Sequence, residues 1–333
     1  MSTNQQSAKP RVVLIGGGTG SFTLLQGLKK ANFDLSALVN MSDDGGSTGK
    51  LRGELGVLPP GDVRQCLVAL SEIPDVRDLF NYRFGQGSLA GQSLGNIILS
   101  GLELQKGSFN EAIKVASSLL RVQGRVVPIT LTRHTLIMAD GAEIIKGESR
   151  VMNHRIKQPS VKLWLEPKAE INPEAKTAIS EAELILIAPG DLYGSLLPAL
   201  IVDGVQQSLK GTAAKVVLIT SLVNKPIQTL SWHVMDYLNC LERYIGKDQI
   251  DYVIYNNREP SPDLLRKYAS KNEFPVEFGK EQFKDTNAKI IGSDLVAKKI
   301  FYQNPNDKTL KRTLIRHDAD QVTRIIKEIL NNK

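Results

Sequence analysis

Cysteine is nearly absent: Cys66 and Cys240 are the only two among 333 residues, far apart and in no metal-type spacing. That rules out a disulfide framework and fits a reducing cytosol, where free thiols behave as small hydrophobes. Histidine is almost as scarce. His134, His154, His233 and His317 form no i,i+4 pair and no HExxH, which argues against a zinc site. Aromatic residues make up 6% of the chain. No apolar stretch reaches the length of a membrane span, and the longest, such as Leu184 to Ala188, are strand-sized. There is no long basic run, no basic patch interleaved with aromatics and no nucleic-acid motif, so no nucleic-acid partner is expected. No G-x-S-x-G elbow and no local Cys–His signature argues for acyl transfer. Met1 to Pro10 is polar, lacks a signal-peptide core and is expected to form a disordered tail, with a cytoplasmic location for the protein.

What is present is an ordinary globular composition with a basic balance. Hydrophobic residues make up 41% and charged residues 23%, enough for a large core without staples. The net charge of +7 is served either by a solvated basic surface or by attraction to an anion. Among anions, a small phosphorylated ligand explains it more economically than DNA or RNA.

The patterning is that of a doubly wound α/β chain. Arg11 to Ile15 is a β-branched run, Gly16 to Ser21 a glycine turn, and Phe22, Leu24, Leu25 and Leu28 follow at helical spacing. Leu35 to Val39 is a second strand leading into a Gly/Asp-rich loop, which is the rhythm of a parallel sheet. A mostly helical region is expected from about Asp62 to Arg121. Val126 to Leu131 and Leu136 to Glu148 then read as short strands with a turn at Asp140-Gly141. Val161 to Leu165, Leu184 to Ala188, Val216 to Thr220 and Tyr252 to Tyr255 are further strands. Helices are expected over 196–210, 229–244, 263–270 and 319–330. Without repeats or linkers, the pattern favours a single domain over 11–333 whose sheet carries an inserted helical and β-hairpin region.

Five segments carry the candidate chemistry. Gly17, Gly18, Thr19, Gly20 and Ser21 can turn the backbone sharply and aim helix N–H groups at an anion, although a ligand-free tight turn serves the same pattern. The spacing is neither a dinucleotide fingerprint nor a Walker A loop. The loop 42–52 holds Asp43, Asp44, Gly45, Gly46, Ser47, Lys50 and Arg52: acids for Mg²⁺ or sugar hydroxyls, cations for phosphate, or else a solvated polar turn. Asp62, in Leu58 to Gln65, stands where a helix N-cap falls and can also serve as a metal ligand with Asp44. Gln92, Ser93 and Asn96 open an apolar helix. Gly190, Asp191 and Tyr193 follow a central strand, where ligands of open α/β sheets gather at a switch in strand order.

Together, GGGTGS at Gly16, SDDGGSTGKLR at Ser42, LPPGDVRQCLVALS at Leu58, GQSLGN at Gly91 and APGDLYGSLLPALI at Ala188 resemble the YvcK-like gluconeogenesis factors of the CofD-like superfamily. The resemblance runs from about Arg11 to Leu330 and takes in Gly147-Glu148-Ser149 and Ile315 to Asp318. It implies a Rossmann-like, mostly parallel sheet. One branch consists of 2-phospholactate transferases, which act on a deazaflavin with a nucleotide-activated donor and Mg²⁺. The other consists of UDP-sugar-binding regulators linked to cell-wall precursor metabolism and cell shape in gluconeogenic growth. In the second branch, UDP-N-acetylglucosamine recognition by a tyrosine and a late arginine maps by motif onto Tyr268 and Arg316. A tyrosine ring can stack on a base and a guanidinium can fork onto a diphosphate.

Three places depart from the pattern. Gln92 stands where the family usually has histidine, and Asp191 where it usually has serine. In Leu222 to Thr229 the family's glutamate is lost and a lysine, Lys225, is gained. An acid at Asp191 repels a phosphate unless a cation lies between. The expectation is a regulator binding a nucleotide or UDP-sugar, with the transferase as the alternative. No cofactor beyond possible use of Mg²⁺ is expected, and a homo-oligomer, a dimer by base rate, is the expected assembly.

Overall fold

The computed structural model describes residues 8–158, 160–270, 273–279, 283–298 and 315–332. The expected tail therefore falls largely outside the described residues. In chain order the first elements are β1 (Arg11–Gly16), α1 (Gly18–Leu28), β2 (Asp34–Val39), α2 (Gly46–Leu55), α3 (Pro60–Leu70), α4 (Pro74–Asn81), α5 (Leu94–Lys106) and α6 (Phe109–Leu120). β3 (Arg125–Pro128), β4 (Thr135–Asp140), β5 (Glu143–Lys146), α7 (Glu148–Asn153), β6 (Lys162–Glu166), α8 (Pro173–Glu181) and β7 (Leu184–Ile187) follow. After a π-helical turn at Leu192–Leu196 come α9 (Leu197–Leu200), α10 (Val205–Gly211), β8 (Lys215–Ile219), β9 (Val223–Asn224) and α11 (Val234–Ile245). The chain continues with β10 (Tyr252–Asn256), α12 (Pro262–Ala269), β11 (Phe274–Pro275), β12 (Lys289–Ser293) and α13 (Ala319–Asn331).

The central sheet has seven strands in the order β12-β10-β8-β7-β1-β2-β3, and every neighbouring pair is parallel. Its middle strands are apolar on both faces because helices cover both sides. β7 is buried at every position, and β1 at all but its first. From β1 the chain winds outward through β2 to β3, then returns to the other side of β1 as β7 and winds outward again. The switch in strand order thus lies between β1 and β7, at the carboxyl edge where ligands of open α/β sheets gather.

A three-stranded antiparallel sheet, β5-β4-β6, is the inserted hairpin region, turned at Asp140-Gly141 with Gly141 at a φ of 64°. Its Leu136, Met138, Leu163 and Leu165 join the same apolar core as the central strands. Burial on this scale, at about 25 cal/mol per Å² of apolar surface, is what opposes chain entropy.

Several expected boundaries shift for local reasons. The stretch from Val126 pairs with β2 as the edge of the central sheet and ends at Pro128, which has no N–H to donate onward. Glu148 leaves the hairpin and opens α7. The helix expected over 196–210 is interrupted before Gly204, whose φ is 94°. The helix expected from Thr229 begins at Val234, where His233 and Asp236 form a reciprocal cap. Among the described residues no helix is long and apolar enough to cross a membrane.

Candidate functional site

The glycine turn after β1 is built for close approach. A Cβ at Gly20 would lie 1.8 Å from the Pro189 carbonyl oxygen, so α1 presses directly on the loop after β7. Gly18 has a φ of 65°, in the left-handed region that glycine tolerates. A Cβ at Gly17 would lie 2.3 Å from Asp62 Oδ2, and the Gly18 N–H is directed at the same carboxylate. The amino end of α1 therefore already faces a negative group. Ser21 and Thr19 complete the first turn: the Ser21 hydroxyl donates to Gly17 O at 3.4 Å, and Thr19 O accepts from Thr23 Oγ1 at 3.0 Å.

The loop after β2 divides its two acids. Asp43 Oδ1 accepts the Gly45 N–H at 3.0 Å, and Asp43 also accepts the Thr48 hydroxyl. Asp44 turns the other way and caps α7: Oδ2 accepts Glu148 N–H at 2.9 Å and Oδ1 accepts Ser149 N–H at 2.8 Å. Gly147, with a φ of 99°, leaves the room this needs, since a Cβ there would lie 2.6 Å from Asp44 Oδ2.

The cations of this loop are committed elsewhere. Arg52 donates to Asp43 O at 2.7 Å and His134 O at 2.8 Å, bracing the loop from behind. Lys50 is exposed and lies 4.0 Å from Glu54. Gly46, with a φ of 46°, starts α2 at the surface. The Ser47 hydroxyl donates to Gln92 Oε1 at 2.6 Å and accepts from Ser93 N and Asn96 Nδ2, each at 3.2 Å. Arg64 Nε donates to Asn96 Oδ1 at 2.9 Å. Gln92, Ser93 and Asn96 are thus brought to the loop, but their polar groups bond to the protein.

The loop after β7 forms the other wall. Asp191 Oδ1 accepts Gly194 N–H at 2.7 Å, and its Oδ2 accepts Lys225 Nζ at 2.7 Å. Lys225 Nζ also donates to Met152 O at 2.5 Å. Gly190 O accepts the Ser221 hydroxyl at 3.2 Å. Asn40 Nδ2 donates to Gly194 O at 3.1 Å, tying this wall to the end of β2. Gly194 is pressed by Glu148, since its Cβ would lie 2.9 Å from Glu148 Oε1.

Three carboxyl groups therefore converge behind the glycine turn, and all have their proton affinity raised. Burial pushes Asp43 up, helped by Asp44. Burial and the nearby Asp43 push Asp62 up. Burial, then Asp43, Asp62, Asp44 and Asp191, pushes Glu148 up to about 9. Among the described residues no three His, Cys, Asp or Glu side chains form a metal cage. Mg²⁺ does not need one, because it is commonly held by one or two carboxylates plus ligand phosphates. Asp43 and Asp62, mutually repelling and facing the glycine turn, fit that role. Asp44 instead turns away from the glycine turn, and each of its oxygens accepts a backbone N–H at the start of α7.

The remaining expected residues are placed differently. Tyr193 is 5% exposed, with its hydroxyl against the Cys240 thiol, so its ring belongs to the core. Tyr268 is 2% exposed and packs in the core. Arg316 is half-buried on a segment that crosses the carboxyl end of β8, where His317 Nε2 meets Thr220 O at 3.0 Å. His317 is held neutral by burial, and Asp318 caps α13. Residues that composition alone did not single out are Glu148, Asn40 and Lys225. The first and last carried only a motif-level signal, and Asn40 carried none.

Residues 12–296 match the family described as 2-phospho-L-lactate transferase CofD. A Bacillus subtilis protein named gluconeogenesis factor is 36% identical over 330 residues, 97% of this chain and 98% of its own length. A Listeria monocytogenes protein of the same name is 35% identical, with 99% of this chain and 98% of that protein covered. Among solved structures, a Bacillus halodurans protein superposes with a TM-score of 0.87 at 34% identity, covering 96% of this chain and 99% of that one.

Proposed function

The chain belongs to the CofD family, and from that premise we propose that it is a nucleotide-sugar-binding regulator, taking a ligand of the UDP-N-acetylglucosamine type in the crevice between the β1 and β7 loops. The observation that carries the reading is the near end-to-end match to proteins named gluconeogenesis factor, two of which share 98% of their own length with this chain. The role proposed with it is control of cell-wall precursor metabolism and cell shape during gluconeogenic growth, of which the relatives' names support only the link to gluconeogenesis. In this reading a nucleotide diphosphate would be held by several groups. The glycine turn allows close approach, Arg316 stands at the carboxyl end of β8 to fork onto phosphate, and Asp43 and Asp62 can accept from sugar hydroxyls. Tyr268 enters the ligand site only by moving out of the core.

The family match over 12–296 favours a second reading, a phospholactyl transferase acting on a deazaflavin. In that reading Mg²⁺ held by Asp43 and Asp62 would neutralise charge on the donor phosphates. The residues themselves would position the donor against the glycine turn and exclude water. Burial of both Tyr193 and Tyr268 leaves that reading without their rings for a tricyclic acceptor.

Calorimetric titration with UDP-N-acetylglucosamine, GDP and the deazaflavin Fo, each with and without Mg²⁺, separates the two. Micromolar UDP-sugar binding that is lost in Arg316→Ala supports the regulator. Binding of GDP and Fo without the UDP-sugar overturns it in favour of the transferase.

A further inference from the structure

We propose that Lys225 is the cation that receives a ligand phosphate at the β7 side of the crevice, with Asp191 as the residue that positions it. The inference rests on reading that crevice as the nucleotide site.

Lys225 follows β9 and reaches across to the loop after β7, where its ammonium meets Asp191 Oδ2 at 2.7 Å and Met152 O at 2.5 Å. An ammonium carries three donors. Two are spent on these fixed acceptors, which aim the third. The Lys225 side chain is 32% exposed and Asp191 14%, so the lysine is open to solvent while its anchor is largely covered. Asp191 is itself immobilised, since its other oxygen caps the π-helical turn through Gly194 N–H.

The other cations of these loops are otherwise engaged. Arg52 is spent on two backbone carbonyls. Arg64 is spent on Asn96 and Asn81. Lys50 points outward beside Glu54. Carboxyl groups crowd the neighbourhood, with Asp43, Asp62, Asp44 and Asp191 all acting on Glu148. A phosphate entering among them needs a positive charge on its own side of the crevice. Lys225 supplies it and at the same time neutralises Asp191.

The chemical class recognised is a phosphoryl oxygen, from a nucleoside diphosphate or from free pyrophosphate. The test titrates wild type, Lys225→Met and Lys225→Gln with UDP, inorganic pyrophosphate and uridine at low and moderate salt. The glutamine variant keeps hydrogen-bonding capacity toward Asp191 and Met152 O without the charge, so it guards against a folding defect in the methionine variant. Expected are losses of about tenfold or more for UDP and pyrophosphate in both variants, with a weaker salt dependence and uridine unaffected. Asp191→Ser added to Lys225→Met should recover part of the loss by removing the stranded acid. Wild-type affinity for UDP and pyrophosphate in the glutamine variant overturns the proposal. Wild-type binding of pyrophosphate without UDP overturns the nucleotide reading and leaves Lys225 judged on pyrophosphate alone. Binding of neither by wild type overturns both.

Discussion

Replacing Asp44 by asparagine separates a structural role from a metal-binding one. In the structure both carboxylate oxygens accept backbone N–H groups, from Glu148 at 2.9 Å and Ser149 at 2.8 Å. Asparagine retains one acceptor and turns an NH₂ toward the other N–H, leaving a part-buried donor facing a donor. Hydrogen bonds to charged groups contribute about 1.5–3 kcal/mol each, and a lost helix cap costs about 1 kcal/mol. Loss of one bond and weakening of the other should destabilise the protein by about 2–3 kcal/mol. Urea unfolding in EDTA and again in excess Mg²⁺ measures this, and the loss should be the same in both. Hydrogen exchange should report faster opening at the amides of Glu148 and Ser149. Stability in EDTA equal to wild type, with a defect appearing only when Mg²⁺ is present, would refute the reasoning and restore Asp44 as a metal ligand.

Glu148→Gln should remove a pH dependence. Its carboxyl is pushed up from 4.5 to about 9, so the folded chain keeps a proton that the unfolded chain releases. The associated stability is complete below the unfolded value and is lost as pH rises toward 9. At pH 7 the penalty approaches about 3 kcal/mol, so the glutamine variant should gain on wild type in urea unfolding at pH 8 and match it near pH 4. Equal slopes against pH in the two proteins contradict the burial of an acid there. Gly20→Ala puts a Cβ 1.8 Å from Pro189 O, and thermal unfolding should show a loss at or above the ~3 kcal/mol upper range of overpacking. A soluble variant with wild-type Tm would mean that α1 does not press on the β7 loop. Tyr193→Phe should cost about 1 kcal/mol through the hydroxyl facing Cys240 and leave nucleotide affinity unchanged. A large affinity loss would place the ring in the binding site after all.

Much of the frame was legible because it rests on short-range pattern. The apolar runs at β1, β7 and β8, each followed by small or polar residues, announce strands buried on both faces, and their loops are where ligands gather. β12 was missed because Lys289–Ser293 is short, ends in Gly-Ser and lies at a sheet edge, where partial burial weakens the apolar signal. Tyr193 and Tyr268, expected at the ligand, are both packed in the core. A tyrosine in a ligand motif and a tyrosine on the core face of a helix have the same local sequence, and only packing tells them apart. The same limit holds for Asp43 and Asp44, adjacent in sequence. Their backbone directions send one acid toward Asp62 and the other toward the start of α7.

The departures from the family pattern show how far residue-by-residue reading reaches. An aspartate at 191 predicts repulsion of phosphate, and a lysine in the 222–229 loop predicts attraction. Taken singly, the two point in opposite directions. They are 34 positions apart, so no local rule joins them. The fold does, because β9 follows β8, β8 lies beside β7, and the loops at their carboxyl ends share one edge. There the lysine cancels the aspartate and still has a donor free. Charge at this edge is therefore a property of the pair: reversing either residue alone should disturb the crevice more than exchanging both, and a double-mutant cycle on anion affinity measures that difference.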